Sequence, residues 1–228
     1  MVWLAYLATA ALAYLTGAIP VGLVLGKLLK GVDIREHGSG RTGATNALRT
    51  LGWGGALATL LGDIAKGTAG ALIGRLVLLG FGVEAGHYGE VIGGLAAVAG
   101  HNWPIYIGGR GGRGVATTLG AALVLSPLSA LLALPLALAM IAISDMASLG
   151  SLLGTIAGLL VFGLLSVLGY HTPVYAIFAL LGGGMIIFQH RDNIQRLLRG
   201  EERKLGLRSR LGRPTQASGL DERPATRD

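Results

Sequence analysis

The chain has 228 residues, of which 52% are hydrophobic and only 14% are charged, and its net charge is +7. A soluble domain carries about 25% charged residues, so this composition excludes an ordinary soluble protein. The lack of cysteine excludes disulfides, zinc–thiolate sites and a thiol nucleophile. Long apolar stretches, such as 119–143 and 149–168, indicate an integral membrane protein instead, because about 20 apolar residues span a bilayer.

These stretches predict seven transmembrane helices. The first, at about 2–25, lacks the basic leader of a secretory signal, so we expect it to be an uncleaved span. The others are expected at about 55–79, 90–108, 114–125, 128–143, 147–168 and 173–189. The fourth and fifth share one long stretch, which as a single helix of ~29 residues would be roughly 44 Å long. A break at Ser126–Pro127 is predicted, because proline disfavours helix at the residue before it.

Charge predicts the orientation of these spans. Three blocks, at 27–49, at 110–113 and from 191 onward, hold 17 of the 19 Lys and Arg residues. The positive-inside rule places all three in the cytoplasm, with the N-terminus outside. An outer loop with Glu84 and Glu90 but no Lys or Arg agrees with this topology. A kinked six-span protein is the alternative, but it would leave the last block outside.

One membrane domain followed by a tail is predicted on these grounds. Residues 1–206 form the seven-span membrane domain. Residues 207–228 are rich in Arg, Pro and Ser without apolar periodicity, which predicts a disordered basic tail in the cytoplasm, near anionic lipid.

The first cytoplasmic loop, 38–49, combines glycines with polar and basic residues. Small residues let the backbone approach a ligand, and successive amides can form a nest for an anion. Its neutral hydrogen-bond donors are Ser39, Thr45 and Asn46, and its cations are Arg41 and Arg49. The loop lacks the Gly-Lys-Ser/Thr of a nucleotide-binding P-loop. It predicts a phosphate cradle of another kind, with a flexible basic loop as the alternative.

The second loop begins near His101 and ends with Arg110 and Arg113, which are separated by glycines. Both arginines precede the short fourth helix, and a helix N-terminus favours anions. Arginine can also grip a phosphate with two donors at once. A second phosphate contact is therefore predicted here, with ordinary positive-inside anchoring as the alternative.

The third loop, 190–204, follows the last span directly, and helical spacing places His190 and Asn193 on one face. A juxtamembrane amphipathic helix would explain its arginines equally well, but not this His and Asn at the membrane boundary. Inside the second span, Asp63 and Lys66 are i,i+3 neighbours that can pair. Charges within a membrane are costly, so the pair indicates either a functional site or a structural ion pair.

Together, these loops resemble those of the bacterial acyl-phosphate:glycerol-3-phosphate acyltransferases, the PlsY family. The first loop matches the family pattern Gly-Ser-Gly-Asn-x-Gly-Ala-Thr-Asn-x-x-Arg at Ser39, Gly43, Asn46 and Arg49, with Arg41 in place of the Asn. The second matches Gly-His-x-Phe/Trp-Pro and then Lys-Gly-Gly-Lys-Gly-Val-Ala-Thr, with Arg110 and Arg113 replacing both lysines. The third matches His-Arg-x-Asn-Ile-x-Arg-Leu at 190–197, followed by Glu202 and Lys204.

This resemblance implies a seven-span enzyme of the bacterial inner membrane whose loops face the cytoplasm. It implies transfer of a fatty acyl group from acyl phosphate to the sn-1 hydroxyl of glycerol 3-phosphate, giving lysophosphatidic acid for phospholipid biosynthesis. No cofactor, metal or nucleic acid is implied. The partners would be the two substrates, membrane lipids and, through functional coupling, the enzyme that makes acyl phosphate.

Site residues follow from the matched motifs. The catalytic candidates are Ser39, His190 and Asn193, and the phosphate-binding candidates are Arg49, Arg110, Arg113, Asn46, His101 and Lys66. Which of Arg110 and Arg113 grips which phosphate stays open. The proton acceptor is His190, His101 or a substrate phosphate.

Other classes fit less well. The His-x4-Asp motif of the acyl-CoA-dependent enzymes is missing, and so is a Gly-x-Ser-x-Gly elbow. A transporter would favour an internal repeat and polar groups reachable from both faces, but no repeat is found and the polar groups crowd one face. A purely structural membrane protein would not need three such loops on one side.

Overall fold

The computed structural model describes residues 2–83 and 86–206, and in this part of the chain all regular secondary structure is helical. The α-helices are α1 Val2–Gly17, α2 Val21–Lys30, α3 Ala44–Thr50, α4 Gly52–Gly80, α5 Gly86–Asn102, α6 Val115–Leu125, α7 Pro127–Ser144, α8 Ala147–Val167, α9 Val174–Gln189 and α10 Arg191–Leu198. This confirms the predicted all-helical fold. Glu84 and the predicted tail 207–228 lie outside the described residues.

Several helices are long and apolar enough to cross a membrane. Among the described residues these are Val2–Lys30, α4, α7 and α8, and the pair formed by α9 and α10, bent by 61°, makes a fifth if it is one span. By contrast, α5 has 17 residues and α6 only 11, fewer than the ~20 that cross a bilayer. The number of seven crossings therefore stays a prediction.

The outer surface of the bundle is apolar. Trp3 is 81% exposed, Leu160 69% and Leu180 65%, on three different helices. Exposed apolar surface on this scale marks a membrane-facing protein, because a soluble monomer would leave it in contact with water.

The predicted break at Ser126–Pro127 is confirmed, since α6 ends at Leu125 and α7 begins at Pro127. The Ser126 side chain accepts a hydrogen bond from the Ser129 N–H and so caps α7. Proline suits the first position of a helix because the N–H that it lacks would have no partner there.

Two predicted spans have other bounds in the structure. The first span is present, but it runs over Val2–Lys30 rather than 2–25 and consists of α1 and α2, separated at Pro20. The third span does not run to 108, because α5 ends at Asn102, ahead of the Trp103–Pro104 pair. In both places apolar residues continue through a proline that ends or breaks the helix.

Helix α4 packs closely against its neighbours through glycines. An ideal Cβ on Gly74 would lie 1.9 Å from the Gly89 carbonyl oxygen of α5, and one on Gly67 would lie 2.0 Å from the Thr117 oxygen of α6. Only glycine permits such backbone approaches, which are typical of helices that associate within a membrane. This packing places the N-terminus of α6 beside the C-terminal half of α5.

Candidate active site

The first loop is held in shape by the side chain of Asn46, which is 1% exposed. Its Nδ2 donates to the carbonyl oxygens of Ile34 (2.7 Å) and Arg41 (2.9 Å), and its Oδ1 accepts from the Ser39 N–H (2.9 Å). Gly38 lies against the same amide with φ +58°, and an ideal Cβ there would be 2.2 Å from Asn46 Oδ1. The whole amide of Asn46 is thus used inside the loop, which favours a role in positioning Ser39 and Arg41.

Ser39 and Arg49 lie half-buried on either side of this amide. The Ser39 hydroxyl has no hydrogen-bond partner among the described residues, so its hydrogen bonds are available to a ligand or water. The side chain of Arg49 approaches Gly38, since an ideal Cβ on that glycine would be 3.6 Å from Arg49 Cδ. The aliphatic part of the Arg49 side chain therefore lies beside Gly38, the residue before Ser39.

A hydrogen bond from Arg35 connects the segment just before the first loop to the second loop. Arg35 lies 2.7 Å from Asp33 Oδ2, and its hydrogen bonds hold the pKa of that carboxyl down at about 2. The same guanidinium donates to the carbonyl oxygen of Ile107 in the second loop, at 3.4 Å.

His101 lies beneath the second loop and is 4% exposed. Its Nδ1 is 3.4 Å from Asp63 Oδ1, without the alignment of a hydrogen bond. Gly112 covers the ring, since an ideal Cβ on Gly112 would lie 2.0 Å from His101 Nε2. Arg110, just before this glycine, is exposed. Of these two candidates, Arg110 thus lies at the surface, whereas His101 is enclosed beneath the loop.

Arg113 reaches into the third loop. Its Nη2 is 3.1 Å from Asp192 Oδ2, and its Nε donates to the Gln189 carbonyl oxygen at 3.3 Å. The side chain is only 16% exposed. Burial lowers the pKa of Arg113, an effect that Asp192 partly offsets and that the charge of Arg41 adds to. A buried guanidinium beside other cations is a strong site for an anion.

His190 lies at the bend between α9 and α10 and is 2% exposed. Its Nδ1 is 2.8 Å from the Ile186 carbonyl oxygen, which can only accept, so Nδ1 carries a proton and Nε2 is the acceptor. Burial lowers the pKa of His190 from 6.5 to about 4, and the charge of Arg113 contributes. His190 is therefore neutral at neutral pH.

Asn193, on α10, is 3% exposed and donates from Nδ2 to Glu202 Oε1 at 2.7 Å. Glu202 also accepts from Arg196 Nε at 3.0 Å. One residue further, Arg203 donates to the Gly38 carbonyl oxygen at 2.7 Å. The segment after α10 thus fixes Asn193 and returns to the first loop.

Lys66 is placed differently from the other candidates. Its Nζ is 2.9 Å from Asp63 Oδ1 and donates to the Ile19 carbonyl oxygen at 2.8 Å, beside the break at Pro20. The predicted Asp63–Lys66 pairing is confirmed, and it joins α4 to the end of α1. These contacts favour a structural ion pair, and a contact of Lys66 with phosphate stays a prediction.

Sequence reasoning missed residues that connect the loops. The sequence indicates the charge of Arg41 and its departure from the family pattern, but not its partner: its Nη1 donates to Gln189 Oε1 at 3.3 Å, from the first loop to the end of α9. Gln189 is 1% exposed and also donates to the Asn102 carbonyl oxygen at 3.4 Å. The available signal is a Gln that ends an apolar helix next to His190. The sequence also predicts no partner for Glu202.

Comparison with known proteins decides the family. A model of the family described as glycerol-3-phosphate acyltransferase matches residues 7–200. The chain belongs to the glycerol-3-phosphate acyltransferase family. The resemblance predicted from the three loops is therefore confirmed, and every predicted site residue lies within the matched range.

Relatives in this family match nearly the whole chain. The glycerol-3-phosphate acyltransferase of Thermoanaerobacter pseudethanolicus is 40% identical over 203 residues, which cover 89% of this chain and 97% of the relative. That of Halalkalibacterium halodurans is 45% identical over 196 residues, covering 85% and 92%.

Two solved structures of the family are also similar. PlsY (YgiH), an integral membrane glycerol 3-phosphate acyltransferase, has been solved in a glycerol 3-phosphate form, with a TM-score of 0.77 and 37% identity over 91% of this chain and 99% of that one. Its lysophosphatidic acid form gives a TM-score of 0.76 and 36% identity, with the same coverage. The chain is accordingly an integral membrane protein, as predicted.

Proposed function

We propose that this enzyme transfers a fatty acyl group from acyl phosphate to the sn-1 hydroxyl of glycerol 3-phosphate, giving lysophosphatidic acid and phosphate. The observation that carries the proposal is the convergence of the three loops at one end of the bundle, through Arg41–Gln189, Arg113–Asp192 and Arg203–Gly38. The printed names of the relatives and the glycerol 3-phosphate and lysophosphatidic acid forms of PlsY support this acceptor and product.

The reaction balances without a covalent enzyme intermediate. The acceptor hydroxyl oxygen forms a bond to the acyl carbon, and the bond from that carbon to the phosphate oxygen breaks. Phosphate leaves with the bonding electron pair, and the hydroxyl proton passes to a base. Because an acyl phosphate already carries a good leaving group, the site needs to position the substrates and stabilise charge.

The cations of the loops suit the two phosphate groups. Arg113, which Asp192 and the Gln189 carbonyl orient, lies at the N-terminus of α6 and would bind one of them together with that helix end. Arg49 and the Ser39 hydroxyl would bind a second phosphate from the first loop. Arg110 is exposed and would contact a substrate phosphate from the surface of the second loop.

His190 is better suited to orient the acceptor hydroxyl than to hold its proton. Its Nε2 can accept a hydrogen bond, but its pKa of about 4 makes it a weak base. A phosphate monoester has a second pKa of about 6, so the substrate phosphate is the stronger base. Of the possible acceptors, a substrate phosphate is therefore the one that we propose, with His190 holding the hydroxyl in line.

Acyl phosphate is proposed as the donor because the sequence offers neither a cysteine nucleophile nor the His-x4-Asp motif of the acyl-CoA-dependent enzymes. The positive-inside rule supports a cytoplasmic site in the inner membrane, with the N-terminus outside. That location would allow functional coupling to the enzyme that makes acyl phosphate.

The experiment uses purified protein in detergent with labelled glycerol 3-phosphate and, in parallel, palmitoyl phosphate or palmitoyl-CoA. We expect acylated product and phosphate in equal amounts from palmitoyl phosphate alone, with the acyl group on the sn-1 oxygen. Turnover with palmitoyl-CoA but not with palmitoyl phosphate would contradict the donor. Acylation at the other hydroxyl would contradict the proposed position.

A further inference from the structure

Arg41 is a cation of the first loop that none of the proposed phosphate contacts includes. Its backbone carbonyl oxygen accepts from the buried Asn46 side chain at 2.9 Å, and its Nη1 donates to the buried Gln189 side chain at 3.3 Å. Both ends of this partly buried arginine are therefore held by the fold. Such anchoring reduces the conformational entropy that the side chain would lose on binding a ligand.

The guanidinium of Arg41 has no acidic partner in the described part of the chain, where none of the ion pairs includes it. By contrast, Arg113 is paired with Asp192. The contact of Arg41 with Gln189 is to a neutral amide and uses only one of the N–H groups that a guanidinium offers. A partly buried cation without a counterion is costly, so an anionic ligand would stabilise it.

Arg41 and Arg113 come together at Gln189. Arg113 Nε donates to the backbone carbonyl oxygen of Gln189 at 3.3 Å, while Arg41 Nη1 donates to its side-chain oxygen. Burial lowers the pKa of Arg113, and the nearby charge of Arg41 adds to this effect. Like charges that converge from different loops repel each other, and an anion between them removes that cost. Phosphate is well suited, because each guanidinium can donate two N–H groups to its oxygens.

The groups beside this pair of arginines suit glycerol 3-phosphate better than acyl phosphate. His190 follows Gln189 in the chain, and its Nε2 is an acceptor because its Nδ1 donates to the Ile186 carbonyl oxygen. Asn193 Oδ1, one turn further, is buried without a hydrogen-bond partner among the described residues. Acceptors next to cations fit a ligand that carries alcohol hydroxyls as well as a phosphate, and acyl phosphate has no such hydroxyl.

We propose that Arg41 and Arg113 hold the phosphate of glycerol 3-phosphate between them, as a clamp formed by the first and second loops. Arg41 stands where the family pattern has Asn. Asn would offer a neutral amide to the phosphate, whereas arginine adds a charge and further N–H donors. Arg41 is thus a specificity residue of this chain, which should bind the acceptor more tightly than it would with Asn. The inference rests on the proposed function, which supplies glycerol 3-phosphate as the acceptor.

Arg41→Asn tests the clamp, because it follows the family pattern and replaces a long side chain by a shorter one. Loss of one charge-assisted hydrogen bond should raise the KM for glycerol 3-phosphate about tenfold or more. The clamp holds the acceptor both before and during the reaction, so kcat should change by less than about threefold. The KM for palmitoyl phosphate should also stay within about threefold, because its phosphate lies elsewhere. Arg41→Lys keeps the charge but not the planar fork, and should lose less.

Arg199→Asn is the matched control, since it removes the same charge from an exposed arginine of the third loop. It should leave both KM values within about twofold, because water screens an exposed charge. Affinity is also measured without any donor, from the rise in unfolding temperature with added glycerol 3-phosphate or inorganic phosphate. Arg41→Asn should need about tenfold more of either ligand than the wild type for the same rise.

An unchanged KM for glycerol 3-phosphate in Arg41→Asn would overturn the clamp. A rise in the KM for palmitoyl phosphate alone would overturn it too, by assigning Arg41 to the donor. Equal losses in Arg199→Asn would mean that a basic surface attracts anions in general, and a lower unfolding temperature with both KM values raised would mean that Arg41 only holds the loops together.

The wild type separates these outcomes from a failure of the proposed function. If it bound glycerol 3-phosphate but used only acyl thioesters, the donor would be refuted, and the binding comparison with Arg41→Asn would still decide the clamp. If it neither bound nor acylated glycerol 3-phosphate, the proposed function itself would be wrong, and the clamp with it.

Discussion

Replacement of Arg113 is the sharpest test of the phosphate site. The guanidinium is 16% exposed, so water screens it weakly, and its contacts with Asp192 and the Gln189 carbonyl fix its direction. One charge-assisted hydrogen bond contributes about 1.5–3 kcal/mol. Arg113→Ala should therefore lower kcat/KM roughly ten- to hundred-fold, at about 1.4 kcal/mol per factor of ten. A bidentate contact between the guanidinium and the phosphate would roughly double that free energy.

The fold should survive this change. Asp192 keeps a partner, because Arg196 Nη2 lies 3.5 Å from the same carboxylate oxygen. Arg113→Lys keeps the charge but loses the planar fork, so we expect a loss within about tenfold. Arg199→Ala is the matched control, since that residue is an exposed arginine nearby, and it should change activity by less than about twofold.

The assay is steady-state acyl transfer from palmitoyl phosphate at varied glycerol 3-phosphate, with thermal stability measured on the same samples. With one cation fewer beside it, Asp192 would repel an anionic substrate more strongly, so Arg113→Ala should be combined with Asp192→Asn. If the double variant recovered wild-type activity, the loss would come from that repulsion. If Arg199→Ala were as damaging as Arg113→Ala, general attraction to anionic lipid would explain the effect, and the phosphate site would be wrong.

Three further predictions concern stability, loop shape and topology. The pKa of His190 is about 4 in the folded protein and 6.5 in the reference state, so between these pH values the unfolded chain binds a proton that the folded chain does not. The free energy of unfolding should therefore fall as pH drops from about 6.5 to about 4. His190→Gln should flatten this pH dependence in thermal melts. Asn46→Ala removes three hydrogen bonds of the first loop and should lower kcat/KM at least about tenfold; an unchanged kcat/KM would contradict the positioning role. In this cysteine-free chain, a single cysteine at the exposed Pro127 should react with an impermeant reagent from outside the cell and one after Lys204 should not; the reverse pattern would reject the topology.

Much of the fold could be predicted because the bilayer demands long apolar helices. The break at Ser126–Pro127 followed from the stereochemistry of one proline. The same stereochemistry acts at Pro20 and Pro104, but apolar residues continue past both prolines, so hydropathy alone predicts longer spans there. Hydropathy locates the segments, whereas the prolines locate the helix ends.

The site could be predicted in its residues but not in its contacts. Motif spacing indicated that Arg113 and His190 belong together, and the charge rule placed them at one end of the bundle. Nothing in the sequence paired Arg41 with Gln189, 148 positions away. Nor could the sequence predict that the Asn46 amide forms its hydrogen bonds within its own loop region, because these bonds depend on the backbone path from Ile34 to Arg41.

The charges around Asp192 favour a substrate that carries an anion. Arg113 and Arg196 contact this carboxylate, and Arg196 also contacts Glu202. The charge of Arg41 also acts on Asp192, so three cations face two acids. A partly buried excess of positive charge is stabilised by a bound anion.

The same cluster holds acceptors that lack a donor. Among the described residues, Asp192 Oδ1 and Asn193 Oδ1 are buried without a hydrogen-bond partner. Buried polar atoms of this kind call for a donor from a ligand or water. We propose that the hydroxyls of glycerol 3-phosphate supply it while the arginines take the phosphate. A phosphate without hydroxyls would satisfy only the cations, and should therefore bind more weakly than glycerol 3-phosphate by at least one hydrogen bond to a charged group, about 1.5–3 kcal/mol.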